Sequence, residues 1–491
     1  MNRECRLNAD APAGYYSFMK PRFLTFAILI FFLLARGAVA ATYEVGPGQK
    51  LAAVGDVPWE KLQPGDTVLI HARPEPYREK FAIGQAGRAD APITVRGVPG
   101  ANGELPVLDG DGATTRKSLS YWGDTRSVIK IGGTRNSSDP MPRYIVIENL
   151  DVRNAHRPFG FTGADGKTKT YLKNAAAIHI EKGEHVTIRH CALHDCSNGL
   201  FISSNDQQAS RDILVEGNHI YDNGNPGSGQ EHNVYSEAIG IVYQFNWFGP
   251  PREKSLGNNL KDRSAGLVVR YNWIEGGNKE LDLVDGNDSA VVRSDPAYRE
   301  TFVYGNVLVK LKPDLHPFLV HYGGDGDKLS TYRKGTLYFY NNTVVSERPA
   351  TTLFQLSSDE EHCDFRNNLV YLAPAKNALM LATDHGQLTI SRNWFKAAKL
   401  AKSFGTRDDG TSVNGLIPGF ANLAAQDFHL TAGSPCRGAG QLPDGEPFRS
   451  HPAEWQYVRH QSGEQRADGD KPDIGAYSNP RSVSSSSSSP R

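Results

Sequence analysis

The chain has 491 residues with 54 basic and 54 acidic side chains, so its formal net charge is zero. That balance excludes a nucleic-acid binder held by an overall basic face. Hydrophobic residues make up only 39%, yet aromatics reach 10%, too many for a disordered chain.

The N-terminus predicts an export signal over residues 1–40. Phe23 to Leu34 reads FLTFAILIFFLL, with Lys20 and Arg22 ahead of it and the small-x-small pattern Ala38-Val39-Ala40 behind. The run is short of the about 20 apolar residues that span a bilayer. A start at Met19 would make the signal compact. Cleavage removes five basic residues against two acidic ones, which leaves a mildly acidic mature chain with no membrane segment. A secreted or periplasmic location follows. Export permits disulfides, but Cys191, Cys196, Cys363 and Cys436 lack zinc spacing. They read as buried small hydrophobes with at most one bridge, Cys191 and Cys196 being five apart.

TYEVGPGQ (42–49), PGDTVLIHA (64–72) and APITVRGVPG (91–100) look like the opening coils of a solenoid. From residue 145 to about 395 one phrase then recurs: apolar strand, Asn, apolar strand. It centres on Asn149, Asn218, Asn246, Asn272, Asn306, Asn342, Asn368 and Asn393, with Cys191 in the same place in a further copy. Spacings from Cys191 onward are 27, 28, 26, 34, 36, 26 and 25. A period in the twenties with Val/Ile/Tyr/Phe runs, and without helical periodicity, predicts a single all-β solenoid over 41–480. The expected fold is a right-handed parallel β-helix with an internal asparagine ladder, each amide bonding the coils on either side. FHLTAGSPCRGAG (428–440) and KPDIGAYS (471–478) read as its closing segment, and 481–491 as a Ser-rich tail without reason to fold.

Two adjacent coils carry the candidate site. NVYSEAIGIVYQFN (233–246) aligns without gaps on NLKDRSAGLVVRYN (259–272), which sets Tyr235 over Lys261 and Glu237 over Arg263. Strand alternation points these four out of the core. NKELDLV (278–284) extends the pattern, with Leu281 and Leu283 inside and Glu280 and Asp282 outside. Two columns are expected, Tyr235/Lys261/Glu280 and Glu237/Arg263/Asp282, with His232 and His321 at the margins. The second column is equally well read as a cross-strand charge ladder that only stabilises the sheet.

A long flat solenoid face on an exported protein suits an acidic polysaccharide. Eliminative cleavage of a uronate polymer needs a cation on the sugar carboxylate, a base for the adjacent proton and an acid for the leaving oxygen. Arg263 suits the first role, Lys261 the second, and Tyr235 or His232 the third. Glu237, Glu280, Asp282 and His321 are expected to bind substrate around them. A carboxylate-pair hydrolase, a C5-epimerase and a non-catalytic polysaccharide-binding or export accessory protein are the alternatives. Tyr121, Trp122, Trp247, Phe248 and Trp273 are candidate sugar-stacking rings. HYGGDGD (321–327) reads as an ordinary loop.

With its ladder, export signal and the phrase LKDRSAGLVVRYNWI, the chain resembles the β-helical polysaccharide lyases of the alginate lyase and chondroitinase B type. The resemblance implies that Lys261 is the strand base with an arginine assisting, often with calcium screening the carboxylate. The family's arginine falls about one coil later, where this chain has ELDLVDG (280–286), and LGNN (256–259) stands where acidic calcium ligands are expected. No cofactor or metal is therefore expected, no nucleic-acid partner, and a monomer.

Overall fold

A computed structural model describes residues 40–119, 122–133, 140–312, 316–383, 385–403, 405–469 and 471–479. The expected export signal and Ser-rich tail, and Tyr121, lie outside the described residues. Among those residues no helix is long and apolar enough to cross a membrane.

The repeat folds as predicted, into a parallel β-helix of 13-, 14- and 11-stranded sheets. Each turn of chain supplies about one short strand to each sheet. The opening coils stack in parallel as expected, with Thr42 against Thr67 and Thr67 against Thr94. Inward Val, Ile, Leu and Phe side chains from all three sheets form one continuous core.

The asparagine ladder runs through Asn218, Asn246, Asn272, Asn306, Asn342, Asn368 and Asn393, all fully buried. Asn246 is typical. Its Nδ2 donates to Val215 O of one neighbouring coil at 2.8 Å and to Asn272 Oδ1 of the other at 2.9 Å. Each rung thus satisfies a polar group that the sharp bend would otherwise strand in the core. The residue before each rung takes up the bend in the left-handed region, as at Phe245 (φ 56°) and Tyr271 (φ 54°). Cys191 occupies the rung position of its coil, and its backbone N–H donates to Asn218 Oδ1 at 2.9 Å. Asn149 does not join the ladder. It takes the left-handed position (φ 57°), and Leu150 fills the interior beside Cys191.

The four described cysteines are free and buried. The closing segment does not cap the helix end. It folds back along the outer faces, where Gly475 N–H donates to Asn367 O at 2.8 Å. That return path covers rings expected to stack on sugars. Trp273 is buried under Phe428 and Tyr457, and Trp247 is sandwiched between His219 and His460 at 3.8 and 4.0 Å. Phe248 is in the core, and Trp122 remains exposed.

Candidate active site

The 14-stranded sheet carries the predicted residues. Strands Val234–Ser236, Leu260–Asp262, Leu281–Leu283 and Phe318–Tyr322 pair in sequence, which sets Tyr235 beside Lys261, Lys261 beside Asp282 and Asp282 beside His321. The first pairing is the expected one. The second is two residues away from the expected register: Lys261 lies opposite Asp282, 21 residues on, and not opposite Glu280, whereas the coil from Tyr235 to Lys261 takes 26. A two-residue slip keeps every side chain on its predicted face and changes only its neighbour.

Glu280 therefore leaves the site. It does not stand beside Lys261 and is fully buried, with its Oε2 3.3 Å from Lys310 Nζ. Lys310 also donates to the carbonyls of Gly277 and Asn278 at 3.1 and 3.0 Å, so the pair ties a turn together. Asp282 likewise belongs to the Lys261 column and not to that of Arg263.

Lys261 and Arg263 point out of the core yet are only 8% and 6% exposed, because loop 323–327 folds over them. Lys261 Nζ donates to Asp282 Oδ2 at 2.9 Å and to the Asp325 carboxylate. Arg263 donates from Nη2 to Asp325 Oδ1 and Oδ2 at 2.9 and 3.2 Å, from Nη1 to Asp285 O at 2.5 Å, and from Nε to Tyr235 Oη at 2.8 Å. Asp325 comes from HYGGDGD (321–327), the segment expected to be an ordinary loop. Gly323 (φ 128°) and Gly324 let that loop pack against Ser357 and Tyr332, where any Cβ would collide.

Asp282 is bonded through both carboxylate oxygens. Asn258 Nδ2 donates to its Oδ2 at 2.7 Å, and His321 Nδ1 lies 2.8 Å from its Oδ1. His321 Nε2 in turn meets Ser357 Oγ at 3.0 Å. Beneath the site, buried Asp262 accepts from Ser236 Oγ at 2.6 Å and from Ser264 N–H at 2.7 Å, with Arg333 3.5 Å away. This inner network fixes the backbone between Lys261 and Arg263.

Burial and charge set the protonation states. Burial favours a neutral Lys261, but the Asp282 and Asp325 carboxylates outweigh it and hold its pKa above the ordinary lysine value. Burial raises Asp282 and Asp325, and the cations overcome this, pulling Asp282 well below the usual range and Asp325 below it. Burial, aided by Lys261, lowers His232 to about 3, so its imidazole is neutral. Its Nδ1 accepts from Asn258 N–H at 2.9 Å, which leaves the proton on Nε2. Burial, together with Asp288, raises Glu237 to about 8. Burial also raises the Tyr235 phenol, against the pull of Arg263.

The expected Glu237–Arg263–Asp282 charge ladder is thus absent, and both Glu237 oxygens are buried without a hydrogen-bond partner. Arg263 spends its donors on Asp325, Asp285 and Tyr235 instead. The acidic set does not fit a calcium ion, because the Asp282 and Asp325 oxygens are already committed to Lys261, Arg263, Asn258 and His321.

No family model and no curated protein sequence matches the chain. Solved structures do. The pectate lyase Pel9A matches at 12% identity and a TM-score of 0.49, over 90% of this chain and 97% of that one. An alginate lyase from Paenibacillus sp. str. FPU-7 matches at 12% identity and a TM-score of 0.40, over 75% and 99%. The GH136 lacto-N-biosidase from Eubacterium ramulus matches at 12% identity and a TM-score of 0.41, over 77% and 68%. At such identities the likeness is one of fold, and the chemistry rests on the side chains.

Proposed function

We propose that the protein is an exported, secreted or periplasmic lyase that cleaves a uronate-bearing polysaccharide by β-elimination. One observation carries this reading: a carboxylate, that of Asp325, is already seated on Lys261 and Arg263. A sugar carboxylate entering from the solvent side, past loop 323–327, has the same chemistry and takes the same seat. Arg263, fixed by Tyr235 and Asp285, then neutralises it and makes the adjacent carbon acid stronger.

The sugar carboxylate replaces the charge of Asp325 beside Lys261, so alkaline pH supplies the neutral amine. Lys261, steadied by Asp282, takes the C5 proton as its neutral amine. The C5–H electron pair becomes the C4–C5 double bond, and the C4–O bond breaks. Tyr235, whose oxygen accepts from Arg263 and whose proton burial retains, protonates the departing oxygen. His232 and His321 are positioning residues, holding Asn258 and Asp282 respectively. Incubation with uronate polymers tests this reading, because elimination leaves an ultraviolet-absorbing unsaturated end.

A hydrolase reading has one observation in its favour: Glu237 keeps its proton to about pH 8, as a general acid must. Its burial at 1% exposure weighs against contact with substrate. New reducing ends without the unsaturated product would establish hydrolysis. Epimerisation would leave the polymer uncut.

A further inference from the structure

We propose that Arg126 is the anion-binding group of a second sugar subsite, two strands along the solenoid from Lys261. This deepens the lyase reading and rests on it. Phe201 pairs with Tyr235, and Tyr235 with Lys261, so Phe201 lies about 10 Å along the axis from the reacting centre. The Phe201 and Tyr235 rings stack at 4.9 Å with an interplanar angle of 3°, forming a continuous half-buried aromatic floor. The Arg126 guanidinium lies over Phe201, its Cζ 4.4 Å from the ring centroid.

Arg126 differs from the other site cations in what it lacks. Lys261 and Arg263 each have a carboxylate partner. The Arg126 side chain forms no hydrogen bond or ion pair among the described residues, and its Nε is buried without a partner. Glu181, Asp288 and Tyr235 act on it electrostatically, but none is bonded to it. A half-buried guanidinium that is oriented by a ring and left without an acceptor is arranged for an external anion. Beside it, His179 sets its ring edge against Phe201 at 5.4 Å. Its Nδ1 is buried and unpartnered, and its Nε2 lies 3.0 Å from Ser203 Oγ, so His179 supports the ring floor from beneath. The substrate class that follows is a glycan with acidic groups on more than one sugar within the span of the site.

The test uses the uronate polymer that the parent cleaves, with Arg126→Ala, Arg126→Gln and Arg126→Lys. Arg126→Gln keeps the stem over Phe201 and serves if Arg126→Ala fails to fold. Losing a charge-assisted contact should raise KM about tenfold, with a smaller change in kcat and a shallower salt dependence of KM. Arg126→Lys should recover part of the loss, and methyl-esterification of the polymer should erase the difference between parent and Arg126→Gln. An unchanged KM and salt dependence in Arg126→Gln, with the parent cleaving normally, overturns the subsite and leaves the lyase reading standing. If the parent neither binds nor cleaves any acidic polymer, both fall together.

Discussion

The carboxylate of Asp325 accepts two hydrogen bonds from the Arg263 guanidinium, at 2.9 and 3.2 Å, in the position assigned to a substrate carboxylate. The two anions must compete for one cation. Asp325→Asn is therefore expected to bind acidic oligosaccharides several-fold more tightly than the parent, as measured by calorimetry. Weaker binding would make Asp325 part of the substrate site and not its stand-in.

Lys261→Ala should abolish turnover. It should also lower the melting temperature, contrary to what an outward strand position suggests from sequence. Lys261 is 8% exposed, and its ammonium neutralises Asp282 and Asp325 together. Its removal leaves two carboxylates facing each other, at a cost of about 3–5 kcal/mol if both remain ionised. Lys261→Ala with the added substitution Asp325→Asn should recover part of that stability and none of the activity.

Activity should climb into alkaline pH. Asp282 and Asp325 hold the Lys261 pKa above the ordinary lysine value of 10.5, so neutral amine is scarce at pH 7 and grows as pH rises. Substrate that displaces Asp325 brings its own negative charge, which keeps the ascending limb above about 7.5. A pH–rate profile with its optimum near pH 5 would contradict Lys261 as the base.

Glu237 gives stability a separate pH dependence. Its folded pKa of about 8 lies above the ordinary glutamate value of 4.5, so between the two the folded state holds a proton that the unfolded state has released. Stability from this group therefore falls as pH rises from 4.5 to about 8 and levels off above that. Glu237→Gln should remove that decline, visible as a flatter plot of melting temperature against pH. An unchanged slope would mean that Glu237 titrates normally.

Asn246→Ala and Asn272→Ala should each lower the melting temperature. Each truncation strands a buried donor and acceptor on the neighbouring coils, at about 1–3 kcal/mol per rung. Thermal denaturation followed by circular dichroism reads the effect directly.

The fold was legible because the ladder imposes a buried Asn at a nearly fixed period, and each bend requires it. The site was legible by face but not by neighbour. Alternation placed Lys261 and Asp282 correctly with respect to the core, but the short coil between them hid that they are partners. Glu280 was assigned to the wrong environment for the same reason, since nothing in the sequence shows Lys310 arriving beneath it. Asp325 and Arg126 were missed because each reaches this face of the sheet from outside the repeat. One sits in a Gly-rich loop and the other in the short 3-10 turn Asp124–Arg126. Long-range closure by such segments leaves no periodic trace.

The most direct test of eliminative cleavage at Lys261 is continuous ultraviolet absorbance of the mature protein incubated with a panel of uronate polymers across pH 5–10. The account predicts that at least one polymer yields an absorbing unsaturated product, faster at alkaline pH, and that folded Lys261→Ala yields none. Chain cleavage that releases reducing ends without that absorbance, or an absorbing product formed equally fast by Lys261→Ala, would contradict it.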